Sequence, residues 1–143
     1  MLIKDYNLKI IKEFRNAKVA QVELNPEISV VIATSNYIPM NEFKQIFDFV
    51  DELSSQHTIR KVIFDKRNLT VFHQPSMEWY FIDWKERMYE KGCRAHRKIL
   101  PDDKIFVKSV QIGRDKLIAE YPDRKFHQMD IQYADSLEEA IEN

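Results

Sequence analysis

The chain has 143 residues, with 22 Lys and Arg against 23 Asp and Glu and 44% hydrophobic residues. That suffices for one domain around a single sizeable core and is too apolar for wholesale disorder, while only two glycines (Gly92 and Gly113) exclude a collagen-like or glycine-rich chain. A net charge of −1 argues against electrostatic capture of bulk nucleic acid or an anionic membrane, and the lone Cys93 has no internal disulfide partner, as suits a reducing compartment.

The first five residues meet charge at once and build no secretory signal, and the longest apolar runs, residues 30–33 and 79–82, fall far below the ~20 residues of a membrane span. The expectation is one cytoplasmic domain, with no repeat, linker or low-complexity tract. Three strands are predicted first, over residues 7–14, 18–24 and 28–34. Leu8, Ile10 and Phe14 share a face, with Lys12 breaking the pattern; Ala20, Val22 and Leu24 alternate more cleanly. Asn16 and Asn25-Pro26-Glu27 supply turn chemistry, so an antiparallel meander is the simplest arrangement. The third strand is β-branched and nearly continuous, as for a strand covered on both faces.

After Pro39, the spacing of Phe43, Ile46, Phe47, Val50 and Leu53 predicts a one-sided helix. Residues 60–66 read as a short buried strand on Val62, Ile63 and Phe64. A second helix is predicted over residues 76–91, with Ser76 as its cap and Gly92 as its left-handed stop. Residues 97–100 form a weak strand closed by Pro101. A third helix spans 103–121, where Gly113 is expected to permit a close approach to the sheet. Residues 129–133 make a last strand, and Ser136-Leu137-Glu138-Glu139 is a capping box opening a terminal helix. Strand and helix alternate from Ile28 onward, so the fold class is α/β: a single domain with a mixed, mostly parallel sheet, an N-terminal antiparallel meander and helices packed on it.

Val62-Ile63-Phe64-Asp65-Lys66-Arg67-Asn68-Leu69, the loop to Ser76, the aromatic helix from Trp79 to Trp84, Ile99-Leu100-Pro101 and the run Tyr133-Ala134-Asp135-Ser136-Leu137-Glu138-Glu139-Ala140 come in an order that resembles the bacterial STAS-like, anti-sigma-factor-antagonist (SpoIIAA-like) family. The resemblance covers about residues 28–143. It implies a small mixed sheet backed by helices, often self-associating, used as a non-enzymatic binding module. In the best understood members a phosphorylatable serine opens the helix after the central strand. Here Asp65-Lys66-Arg67-Asn68-Leu69 stands in place of the Asp-Ser-Ser/Thr-Gly type of motif, and Thr70 and Ser76 are the nearest hydroxyls. The nearer match is the divergent branch without that serine.

Two regions are candidate binding sites. On the second helix, Met77, Tyr80, Phe81, Trp84 and Met88 form the core stripe, while Trp79, Ile82 and Tyr89 fall on the opposite side. Either a neighbouring element covers this second apolar flank or it meets a ligand or partner. The loop after residue 65 should sit beyond the carboxyl ends of the strands, where Lys66, Arg67, Asn68 and Thr70 can hold an anion or a peptide backbone, unless they serve only local loop geometry.

The basic cluster Lys91, Arg94, His96, Arg97 and Lys98 reads as a charged connection closing a helix rather than as a phosphate contact. Cys93-x-x-His96 and His127-x-x-Asp130 are incomplete as metal sets, and no catalytic constellation or phosphate loop is recognisable. No cofactor is expected. The leading expectation is a protein-binding or self-associating module, as a homodimer, without catalysis, nucleic acid or membrane. The alternative is a carrier of an apolar or amphipathic small molecule, with the aromatic helix and Phe72 lining its cavity.

Overall fold

The computed structural model describes residues 2–3 and 5–143. Among the described residues, seven strands form one mixed sheet whose spatial order matches their order in the chain. β1 (Leu2–Ile3), β2 (Tyr6–Glu13), β3 (Ala17–Val22) and β4 (Asn25–Ala33) pair antiparallel; β5 (Lys61–Asp65), β6 (Ala95–Ile99) and β7 (Asp130–Tyr133) are added parallel. The expected mixed α/β architecture, with its N-terminal meander, is what forms. In β2 the register shifts between Ile10 and Lys12, so Ile11 is an extra residue. This bulge explains why Lys12 breaks the alternation: Leu8 and Ile10 serve one face, and Ile11 and Phe14 the other.

Crossovers of one hand between sequential parallel strands bring their helices to one face of the sheet. α1 (Met40–Leu53), the helical stretch from Gln74 to Glu90 and α4 (Lys104–Glu120) build the larger core there with Val19, Val31, Val62 and Phe64. The opposite face carries Val22, Val30, Ile63 and Ile99, and α5 (Leu137–Glu142) covers it with Leu137, Ala140 and Ile141. Ser136 caps α5 by accepting from the Glu139 amide at 3.1 Å, as the capping box predicts. Lys61 closes its other end, with Nζ donating to the Ala140 and Ile141 carbonyls at 2.8 and 3.0 Å.

The helical stretch from Gln74 to Glu90 differs from the expected regular helix. α2 (Gln74–Trp79) gives way to a π-helical turn (Tyr80–Trp84) and then to α3 (Lys85–Glu90). His73, not Ser76, is the N-cap residue, and Ser76 is instead buried with its hydroxyl 2.8 Å from His73 Nδ1. In a regular helix Lys85 would sit roughly 80° from Met77, at the margin of the core stripe. The wider turn rotates α3 back by about one residue, which carries Lys85 to the buried side. The sheet-facing row becomes Met77, Tyr80, Phe81, Trp84, Lys85 and Met88, all buried.

Both glycines mark tight places. Gly92 ends α3 at φ +102°, and an added Cβ would lie 2.9 Å from Thr58 Cγ2. Gly92→Ala is therefore expected to cost about 1–2 kcal/mol, read as a lower denaturant midpoint with an unchanged slope; an unchanged midpoint would refute the strained stop. Gly113 allows a close approach, but to α2 and its preceding loop rather than to the sheet. A Cβ there would fall on Gln74 Oε1, 2.9 Å from Phe72 Cζ and 3.2 Å from Met77 Sδ.

Candidate functional site

The loop after β5 divides its residues between the two faces of the sheet. Lys66 is buried, with its Nζ 5.0 Å from the Phe64 ring centroid, on the face that carries α1 to α4. Arg67 belongs to an outer surface with Leu2, Ile3, Asn68, Leu137 and Glu138. Its guanidinium holds the buried Asp65 carboxylate through Nε at 3.0 Å and Nη2 at 2.8 Å, and its amide donates to the same carboxylate. Asn68 donates to the Ala33 carbonyl at 2.9 Å, and Thr70 is exposed, with its amide bound to the Asn36 carbonyl. Arg67 and Asn68 thus shape the turn and line an open outer cleft, and Lys66 alone of the four enters the aromatic cavity under the helices.

The outer flank of the second helix is half-buried. Trp79 sets its ring edge against Phe43 on α1 (centroids 6.1 Å apart), with Lys44 and Arg87 over its faces. Tyr89 donates from its hydroxyl to Gln128 Oε1 at 2.9 Å and lies under the Arg94 guanidinium at 4.0 Å. Trp79, Ile82 and Tyr89 each pack against the main core. They are not brought together with Lys66.

The cavity that receives Lys66 opens at the carboxyl ends of β4 and β5, where parallel sheets collect ligands. Its volume is about 50 Å³, and Phe43, Phe64, Phe72, Met77, Tyr80, Phe81 and Phe106 line it with Lys66, His73 and Ser76. This is an aromatic slot with one cationic group and one His–Ser hydrogen bond on its walls. A second cavity, about 150 Å³, lies on the far side of Phe81, lined also by Arg114, Ile118, Phe126, His127, Met129 and Ile131. Phe81 is the residue the two share.

Under the π turn lies Lys85, which sequence patterning did not single out, beside three residues of the basic cluster. Of the basic cluster, Lys91 and Arg94 are exposed at the end of α3 as expected, but His96, Arg97 and Lys98 occupy the middle of β6, each at most 2% exposed, and are not part of a solvated connection. Arg97 points to the α5 face, where it donates to the Asp130 carbonyl (2.7 Å) and carboxylate (2.8 Å) and to the Asn143 carbonyl (2.7 Å). His96 and Lys98 point to the helices. His96 Nε2 is 2.9 Å from the Tyr80 hydroxyl, and Trp84 Nε1 donates to the Phe47 carbonyl at 2.6 Å.

Lys85 and Lys98 are both 0% exposed, and neither Nζ has a hydrogen-bond partner. They meet aromatic rings instead: Lys85 Nζ is 3.4 Å and Lys98 Nζ 5.1 Å from the Phe81 centroid, and Lys98 Nζ is 5.2 Å from that of Tyr133.

The electrostatics result from burial without counter-charge. Burial brings Lys66 down to about 8. Burial, reinforced by Lys98, Lys66 and Arg114, drives Lys85 well below the ordinary lysine value, and burial with Lys66 and Arg114 does the same to Lys98. Burial and the same lysines hold His96 neutral. No carboxylate is among the groups that act on these three residues. Burial pushes the Cys93 thiol up to about 11, which makes it a poor nucleophile. Among the described residues no group of three or more His, Cys, Asp or Glu side chains is placed to hold a metal ion, and no helix is long and apolar enough to cross a membrane.

A strand reading Ala-His-Arg-Lys-Ile between flanking strands is the one sequence signal that pointed here. It becomes informative once β6 is known to be internal to the sheet. Comparison of the chain with protein-family models, curated proteins and solved structures found no match.

Proposed function

We propose that this chain is a non-enzymatic binding module for a small amphipathic molecule. The molecule's apolar part would enter the aromatic slot and its polar end would meet Lys66 and the His73–Ser76 pair. One observation carries the reading: a lysine amine buried in an aromatic cavity at the carboxyl ends of parallel strands, with no carboxylate bound to it. Burying a cation unpaired costs several kcal/mol, and a ligand with an acceptor or negative group offsets that cost. Its rings supply broad, apolar contact. The STAS-like, SpoIIAA-like resemblance of the sequence implies a binding module as well. Self-association has less support, because Trp79 and Tyr89 already pack against their own chain.

The test is thermal unfolding in the presence of phenylacetate, with the uncharged isostere phenylacetamide as control. Phenylacetate is expected to raise the midpoint saturably, by up to about 3 kcal/mol equivalent at a hundredfold excess over the dissociation constant, while the amide does much less. Lys66→Ala is expected to abolish the response. No saturable shift with phenylacetate, or an equal one in wild type and Lys66→Ala, overturns the reading.

A further inference from the structure

Phe81 occupies an unusual position. Its ring separates the slot from the second cavity and is itself buried, at 1% exposure. The two buried amines without hydrogen-bond partners, Lys85 and Lys98, both face it, the first squarely over the ring at 3.4 Å. An aromatic face is the electron-rich surface a cation accepts when no anion is present, and it is worth less than a charge-assisted hydrogen bond. The ring also belongs to the π-helical turn, a departure from regular helix that recurs at functional sites.

We propose that Phe81 stands in for a ligand's anionic group, and that Lys85 and Lys98 form a carboxylate or phosphate subsite entered when the ring swings aside. The inference rests on the proposed binding function and extends it by adding, behind Phe81, a second contact for the ligand's anionic group beyond those at Lys66, His73 and Ser76. Space argues the same way. Withdrawal of the ring joins the slot of about 50 Å³ to the cavity of about 150 Å³ and frees the volume of the ring itself. The Arg114 side chain on the wall of that second cavity adds positive charge, and the groups facing the subsite (Lys66, His96, Cys93, Tyr80 and Arg114) include no carboxylate. A ligand with an anionic head and a short apolar body fits both parts. Displacing a buried ring costs energy, so the wild-type protein binds more weakly than a variant in which the space is already open.

The experiment is calorimetric titration of phenylacetate and phenyl phosphate into wild type, Phe81→Leu, Lys85→Met and Lys98→Met, with phenylacetamide as the uncharged control. Phe81→Leu is expected to bind the anions about tenfold or more tightly than wild type and to continue rejecting the amide. Either lysine replacement is expected to weaken anion binding by about tenfold or more while the protein stays folded. Should Phe81→Leu fold poorly, Phe81→Met provides the same opening. Anion binding by wild type that depends on Lys66 but is unchanged in Lys85→Met and Lys98→Met overturns the subsite and leaves the slot reading standing. A Phe81→Leu variant that takes up the amide as readily as the acid also overturns it, showing a mere void. No anion binding by wild type or by Phe81→Leu overturns both.

Discussion

Lys98→Met is expected to raise the unfolding free energy of the unliganded protein by about 2 kcal/mol, or roughly 5–10 °C in midpoint. Most core substitutions destabilise, so the sign is the test. The Lys98 side chain is wholly buried on an inner strand, its Nζ has no hydrogen-bond partner, and the charged groups acting on it are other cations. Methionine keeps most of the length and the apolar packing and removes the charge.

The pH dependence has the same cause. Lys66 has a folded value of about 8 against 10.5 unfolded, and Lys85 and Lys98 are lowered in the same direction. Between the folded and unfolded values the unfolded chain holds protons that the folded chain has released. Stability therefore rises with pH, by up to about 1.4 kcal/mol per unit for each such lysine. Cys93, raised from 9.0 to about 11, acts oppositely as pH approaches and passes 9, because there only the unfolded thiol ionises. Comparing wild type with Lys98→Met over the interval from pH 8 to 9 isolates the lysine, since the thiol contributes alike to both. Denaturant unfolding across that interval is expected to steepen with pH in wild type and to be shallower in Lys98→Met. A Lys98→Met protein less stable than wild type, or an equal pH slope in both, would show that Lys98 has a partner and is not a stability cost.

Gly113→Val is expected to destabilise by about 3 kcal/mol and to abolish uptake into the slot. Helix propensity alone predicts the reverse, since glycine is the poorer helix former by up to ~1 kcal/mol. The new side chain would collide with Gln74 Oε1 and press on Phe72 and Met77, two walls of the slot. Gly113→Ala serves as the milder sign test: a net loss of stability is expected despite alanine's helix preference. A gain on either substitution would show that α2 yields easily. In that case the slot would not be held by this contact. Urea unfolding combined with phenylacetate titration reads both effects.

Much of the architecture was legible because it rests on local rules. The periodicity of Phe43, Ile46, Phe47, Val50 and Leu53 marks α1, and those residues are buried as a stripe. The Ser136 capping box and the Gly92 stop behave as their chemistry dictates. The candidate site was legible only in part. Lys66 was identified as a cation at a strand end, but its neighbours Arg67 and Asn68 turn to local hydrogen bonds, because the chain leaves the strand after Asp65 and turns there. Lys85 escaped notice because a π turn, invisible to a 3.6-residue period, rotates it into the core. Lys98 looked like surface charge because a strand rich in His, Arg and Lys carries no apolar pattern to mark it as internal.

From its sequence alone this protein was committed to alternating strands and helices, a meander at its start and a one-sided face on α1. These arise from the spacing of apolar residues and from cap and turn chemistry acting over a few residues. The tertiary structure alone decided that β6 lies between β5 and β7, that Gly113 meets α2, and that Phe81 faces two lysines with no carboxylate near them. The reason is physical: charge desolvation and ring–cation contact depend on which distant segments exclude water together, and no local period encodes that.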